Sequence, residues 1–229
     1  VKELAEVSVA PSFEKMPDQV FFANAGLPYK KLFVSSSFYE KERRPEINLN
    51  FIFLRQSFAV AGLFLPGNAG MPDGAFFEGQ GDAIWLDEKT LIIGHGIRTN
   101  IEGVRWVRKI LEINYPDVRV LPIEMKRQFE FYHLDTCCFW MPKGKVFMIY
   151  PEAFTERGLS TLTNLGRVLA VSDEEAREFV CNSIVINGDT VFMPWANDAI
   201  RSIVAEGGYE NVETFPMSEF MKEIGRAHV

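Results

Sequence analysis

Short apolar runs separated by turn residues recur along this chain, and paired runs read as β-hairpins. Ile84-Trp85-Leu86 and Leu91-Ile92-Ile93 flank Asp87-Glu88-Lys89. Phe139-Trp140-Met141 and Val146-Phe147-Met148-Ile149 flank Pro142-Lys143-Gly144-Lys145. Ile184-Val185-Ile186 and Val191-Phe192-Met193 flank Asn187-Gly188-Asp189, a strong tight-turn signal. A looser fourth case sets Val20-Phe21-Phe22 against Leu32-Phe33-Val34 around Pro28-Tyr29-Lys30-Lys31. Beyond the hairpins the apolar spacing turns helical and then gives way to another strand. Ile101, Val104, Val107, Ile110 and Leu111 keep helical spacing before Val118-Arg119-Val120-Leu121. Ala199, Ile200, Ile203 and Val204 do the same, stopping at Gly207-Gly208 before Val212-Glu213-Thr214-Phe215. Ser172 and Glu175 have the spacing of a capping box opening a short helix before Cys181.

The repeating unit is therefore hairpin, helix, strand. Its turns, near Tyr29, Glu88, Lys143 and Gly188, fall roughly 45 to 60 residues apart, the interval of radial or solenoid repetition. Four units are visible, and a fifth is expected to be split between the two ends of the chain. No Pro/Ser-rich linker interrupts the pattern, so the expectation is one α/β domain over residues 1–229. The start at Val1-Lys2-Glu3, without methionine, reads as part of a longer protein. A radial arrangement brings strand ends to a common centre. It would gather Asn24, Glu78, His133 and Asp135 despite their separation in sequence.

Composition narrows the partners. A formal charge of −7 and a pI near 5.1 argue against nucleic acid, which needs clustered Lys and Arg, and are compatible with a cationic small molecule. Cys137, Cys138 and Cys181 make neither a disulfide framework nor a zinc spacing. Adjacent Cys137 and Cys138 read as buried small hydrophobes in a strand, and the setting as reducing and cytoplasmic. No apolar run approaches membrane-spanning length, and a homodimer is compatible with the sequence.

Chemistry concentrates in two places. Phe77-Glu78-Gly79-Gln80-Gly81-Asp82 sets two carboxylates beside glycines, and Tyr132-His133-Leu134-Asp135-Thr136 sets a histidine two residues before a third carboxylate. In a strand, His133 and Asp135 would share a face and address one ligand. Carboxylates with one histidine suit a cationic substrate that needs proton transfers. Each piece alone also has a plain structural reading: a polar turn at Glu78–Asp82, a structural histidine at His133, a surface ion pair at Arg98. His95, between two glycines, reads as a loop residue, and Arg43-Arg44 as the start of a solvated helix face.

Taken together, these motifs resemble the guanidino-group-modifying superfamily, which includes arginine deiminases, dimethylarginine dimethylaminohydrolases, arginine dihydrolases and amidinotransferases. The resemblance rests on Pro17-Asp18-Gln19-Val20-Phe21-Phe22-Ala23-Asn24-Ala25-Gly26, then Phe77-Glu78-Gly79-Gln80-Gly81-Asp82-Ala83, Gly94-His95-Gly96-Ile97-Arg98-Thr99 and His133-Leu134-Asp135-Thr136, in that order. It implies a pentein fold, an α/β propeller of five-fold pseudosymmetry. It also implies hydrolysis of arginine or a methylated arginine, through a cysteine that forms a covalent thiouronium intermediate. No cofactor or metal is called for.

Carried over by motif, His133 is the general acid and base. Glu78 steadies that histidine or holds the guanidinium, and Asp135 grips guanidinium nitrogens. Asn24 stands where deiminases and dimethylarginine hydrolases carry aspartate and looks more like the arginine dihydrolase branch. Arg98 is a candidate for the substrate carboxylate, as a forked donor, and Asp82 supports the site from behind. Ser218-Glu219-Phe220 resembles the family's approach to its nucleophile. Counting on through Gly225-Arg226-Ala227-His228 reaches Val229, the last residue. Either the cysteine lies just beyond, or valine has replaced it and the chain only binds guanidinium groups. An amidinotransferase is the third reading.

Overall fold

A computed structural model describes residues 7–14, 16–57, 64–65 and 71–216. The chain divides into two compact units, Ser8–Pro122 and Ile123–Val229 with Val1–Val7. The N-terminal unit runs β1 (Gly26–Tyr29), β2 (Leu32–Ser35), α1 (Glu46–Ser57), β3 (Phe64–Leu65), β4 (Ala83–Trp85), β5 (Thr90–His95), α2 (Ile101–Asn114) and β6 (Arg119–Glu124), the last reaching across the boundary. The C-terminal unit runs β7 (Cys138–Met141), β8 (Val146–Ile149), α3 (Glu156–Leu165), β9 (Arg167–Ala170), α4 (Asp173–Arg177), β10 (Ile184–Ile186), β11 (Thr190–Met193), α5 (Asp198–Glu206) and β12 (Asn211–Thr214).

Hairpin, helix, strand is the pattern observed. Among the described residues four three-stranded sheets form, ordered β1-β2-β3, β4-β5-β6, β7-β8-β9 and β10-β11-β12. Each opens with an antiparallel hairpin. In the first, third and fourth, the last strand runs parallel to the second. A parallel neighbour cannot follow a tight turn, so the intervening helix supplies the crossover. The expected fifth unit falls largely on residues outside the described set.

One strand expectation is corrected. Val20 ends one 3-10 turn, Pro17–Val20, Phe22 opens a second, Phe22–Ala25, Phe21 caps both, and β1 starts only at Gly26. Proline at the first position fixes φ for a helical turn, and Phe21 N–H closes that turn onto the Asp18 carbonyl at 3.0 Å. The hairpin then pairs Gly26 with Ser35 and Tyr29 with Leu32, turning at Lys30-Lys31.

The helices begin in one recurrent way. Asn100 caps α2 by accepting Gly103 N–H at 2.9 Å, and Thr155 caps α3 by accepting Gly158 N–H at 3.1 Å. Each such cap stabilises by about 1 kcal/mol. Both glycines lie against main chain: a Cβ on Gly103 would sit 1.8 Å from the Phe76 oxygen, and one on Gly158 2.1 Å from the Glu124 oxygen. In α2 the buried face is Val104, Val107 and Leu111, which join Leu27, Val34, Phe77, Leu91 and Ile93 in the N-terminal unit's core. In the C-terminal unit every residue of β7 and β8 is buried, Cys138 included. A fully buried side chain of this size contributes roughly 1.5–3 kcal/mol. Among the described residues no helix is long and apolar enough to cross a membrane.

Candidate active site

Glu78 is fully buried in the N-terminal unit, at 0% exposure. Its segment reaches that depth because Ser37 and Phe77 form an isolated β-bridge, laying residues 37–39 beside the approach to Glu78. Tyr39 N–H then donates to Glu78 Oε1 at 3.0 Å. The other carboxylate oxygen lies 3.8 Å from Arg98 Nη1, and Arg98 Nη2 lies 3.8 Å from Glu40. A buried carboxylate is tolerable only with such partners.

After Glu78 the chain makes a 3-10 turn, Gly79–Gly81, that delivers Asp82 to β4. Gly79 takes φ +60, and a Cβ there would lie 2.7 Å from Gly26 N and 2.9 Å from the Ala23 oxygen. Only glycine meets both demands, positive φ and backbone contact. Thr99 closes the loop: it accepts Glu78 N–H at 3.0 Å and donates its hydroxyl to Asp82 Oδ2 at 2.6 Å. Asp82 thus supports the Glu78 main chain through Thr99.

Asn24, 4% exposed, sits in the Phe22–Ala25 turn. Its Oδ1 accepts from Arg43 Nη1 at 3.0 Å. Arg43 is not on a solvated face, as its charged neighbours led the sequence reading to expect; it is 4% exposed. It donates to both Glu46 oxygens at 3.0 Å and to the Asp18 carbonyl at 3.2 Å, and its guanidinium lies 4.4 Å from the Phe38 ring centroid. Burial works to lower the Arg43 pKa, but the Glu46 hydrogen bonds and the charges of Glu46, Glu78 and Asp18 hold it above its ordinary value. Burial likewise pushes the Glu46 carboxyl up, and Arg43 only partly opposes this. Arg44, by contrast, is exposed and bonds the Phe38 and Tyr39 carbonyls.

In the C-terminal unit, His133 and Asp135 come together differently than a strand would bring them. His133 is extended, at φ −117 and ψ 153, but Leu134–Thr136 is a 3-10 turn. Thr136 causes the change: its hydroxyl donates back to the His133 carbonyl at 2.7 Å, so local side-chain bonding competes with strand pairing. His133 and Asp135 therefore do not share the strand face expected from their spacing, but one tight turn ahead of β7. His133 is 4% exposed, while Asp135 is half-buried with its carbonyl accepting from Asn182 at 3.4 Å.

The other candidates separate cleanly. His95 ends β5, so it is a strand residue and not part of a loop. Cys137 and Cys138 are buried free thiols, as expected of core residues, and Cys181 is one too. Burial pushes the Cys138 and Cys181 thiols up, away from nucleophilic thiolate. Among the described residues no cluster of histidine, cysteine, aspartate or glutamate could hold a metal ion. The Ser218–Phe220 motif and Val229 lie outside the described residues. Sequence reading missed Glu46 and gave Thr99 no role; the three-residue spacing of Arg43 and Glu46 was the available signal for that pair.

A family model described as arginine deiminase matches residues 16–189. The bifunctional arginine dihydrolase/ornithine cyclodeaminase ArgZ of Synechocystis sp. is 32% identical over 99% of this chain, which spans only 30% of that protein. A Caenorhabditis elegans protein, ZK1307.1, is 35% identical over 93% of this chain and 71% of its own length. The substrate-bound crystal structure of the N-terminal domain of ArgZ, an arginine dihydrolase, matches with a TM-score of 0.84 at 29% identity. That match covers 97% of this chain and 78% of the domain.

Proposed function

The chain belongs to the arginine deiminase family, within the guanidino-modifying superfamily, and on that footing we propose that it hydrolyses the guanidino group of arginine or a methylated arginine. The observation that carries this reading is Glu78: a wholly buried carboxylate whose charged partner is itself a guanidinium, that of Arg98. A guanidinium is flat, cationic and resonance-stabilised, so a fixed carboxylate is what orients it. Asparagine at position 24, and the likeness to ArgZ, favour arginine over dimethylarginine.

In this reading a cysteine thiolate attacks the central guanidino carbon and a C–N bond breaks. His133 gives its proton to the departing amine, leaving a thiouronium on sulfur. His133 then takes a proton from water, whose oxygen bonds to the carbon as the C–S bond breaks. Asp135 and Glu78 hold the guanidinium nitrogens, Arg98 addresses the substrate carboxylate, and Asp82 fixes the Glu78 loop through Thr99. Asn24 also faces the ligand. The nucleophile is sought at or just beyond Val229, and the setting is the cytoplasm.

The deciding experiment is a C-terminal peptide map of the protein as its gene encodes it, paired with ammonia release from arginine. A cysteine at or after position 229 together with ammonia release is the expected result. Valine with no cysteine following, and no ammonia, makes the chain a guanidinium-binding relative without covalent chemistry. A new guanidino compound formed only when ornithine or glycine is added makes it an amidinotransferase.

A further inference from the structure

We infer that the N-terminal unit holds a second site, apart from Glu78, that binds an apolar α-amino acid as its zwitterion, Arg44 taking the carboxylate and Asp73 the ammonium. A cavity of about 360 Å³ opens between the start of α1 and the loop leading to Glu78, lined by Ser37, Arg44, Asn48, Met71, Asp73 and Phe76 among others. That volume suits one small molecule. Asn24, Glu78, Asp82 and Arg98 are not on its wall. The inference does not depend on the guanidino-hydrolase reading, because binding is measured without turnover.

The wall carries one charge of each sign, and the two do not satisfy each other. Arg44 Nε donates to the Phe38 carbonyl at 3.2 Å and Nη2 to the Tyr39 carbonyl at 3.3 Å. Those bonds hold the guanidinium, whose carbon lies 5.9 Å from the Phe76 ring centroid. They leave both Nη1 N–H groups without a partner among the described residues. The Asp73 carboxylate likewise has neither hydrogen bond nor ion pair among the described residues. Its turn is fixed independently: Ala75 N–H closes onto the Pro72 carbonyl at 3.0 Å, and the Gly74 carbonyl accepts from Asn100 Nδ2 at 2.7 Å. The pocket is therefore built before any ligand arrives, which lowers the entropic cost of binding.

A lone anion in this cavity would meet Asp73, and a lone cation would meet Arg44. A zwitterion offers each its opposite. The Nη1 side of a guanidinium suits a carboxylate, and an ammonium can donate to Asp73 and to the Asn48 carboxamide oxygen. Ile47, Met71 and Phe76, each half-buried, leave an apolar patch for an uncharged side chain. That patch separates this ligand from the cationic guanidino substrate, which Glu78 is set to hold.

The test titrates L-leucine into the full-length protein by calorimetry. Saturable binding is expected, about tenfold weaker for leucinamide, which lacks the carboxylate, and for N-acetyl-leucine, which lacks the ammonium. Asp73→Asn is expected to weaken leucine binding about tenfold and N-acetyl-leucine no further, since the partner of Asp73 is already gone. Arg44→Gln is expected to do the same for leucine and to leave leucinamide unchanged. Asp73 is exposed and its side chain bonds nothing among the described residues, so its variant still decides the matter if Arg44→Gln loosens the fold through the lost carbonyl bonds. Failure of leucine to bind the wild-type protein would overturn the proposal. So would leucine binding that Asp73→Asn leaves intact, which would put the amino acid elsewhere on the chain.

Discussion

The Thr99 hydroxyl donates to the Asp82 carboxylate at 2.6 Å, with both side chains buried. The same oxygen accepts Glu78 N–H, so one hydroxyl satisfies a charge and a main-chain donor. Thr99→Val keeps the shape and removes both bonds. It is expected to destabilise by about 1–3 kcal/mol, with Thr99→Ser close to wild type. Urea unfolding of the two variants checks this, and equal midpoints would show the hydroxyl to be dispensable.

His133→Ala is expected to abolish turnover in the full-length enzyme while leaving circular dichroism and melting temperature near wild type. The loss belongs to proton transfer, and the turn itself is held by the Thr136 bond to the His133 carbonyl. Retained activity would remove His133 from the chemistry.

Asp135→Asn is expected to weaken guanidinium binding about tenfold, because it takes a formal charge from a charge-assisted contact. Calorimetry with arginine reads the change. Unaltered affinity would show that this half-buried carboxylate does not face the ligand.

The capping box of α4 carries a pH signature. Burial works to raise the Glu175 carboxyl, but bonds from the Ser172 N–H and hydroxyl and from Asn197 outweigh it and hold the carboxyl below its ordinary value. A depressed carboxyl contributes stability above its unfolded pKa and loses it as pH falls through the lowered folded value. Ser172→Ala therefore costs about 1 kcal/mol at neutral pH and progressively less on acidification. Thermal melts from pH 7 to pH 3 test the trend; a penalty that stays constant with pH contradicts it.

Gly103→Ala and Gly158→Ala each force a methyl onto a carbonyl oxygen. Each is expected to destabilise by about 1–3 kcal/mol, although alanine has the higher helix propensity. Denaturant unfolding decides between packing and propensity, since a stabilised variant would mean that the helix start relaxes freely.

Most of the fold was legible because it repeats a strong local signal: Asp87–Lys89, Pro142–Lys145 and Asn187–Asp189 each punctuate two apolar runs. The first hairpin was half misread, since Phe21 and Phe22 have strand-like side chains but follow a proline that starts a turn. The closeness of His133 and Asp135 was legible, yet their geometry was not. Period-two reasoning holds only inside a strand, and the Thr136 hydroxyl bends the chain first. Arg43 was misread as part of a solvated face because Lys41, Glu42 and Arg44 surround it with the look of a wet surface. What buries it is Asp18, Asn24 and Glu46, and the first two are distant in sequence.

The contact of Gly79 with Gly26 and Ala23 means that the interval between the Asn24 and Glu78 segments is set by the thickness of two main chains. Side-chain volume plays no part in that spacing. Residues 24 and 78 can therefore be exchanged, acid for amide or donor for acceptor, without altering the span across which they work. Such a frame lets chemistry be rewritten one side chain at a time, while any residue larger than glycine at position 79 would move every partner at once.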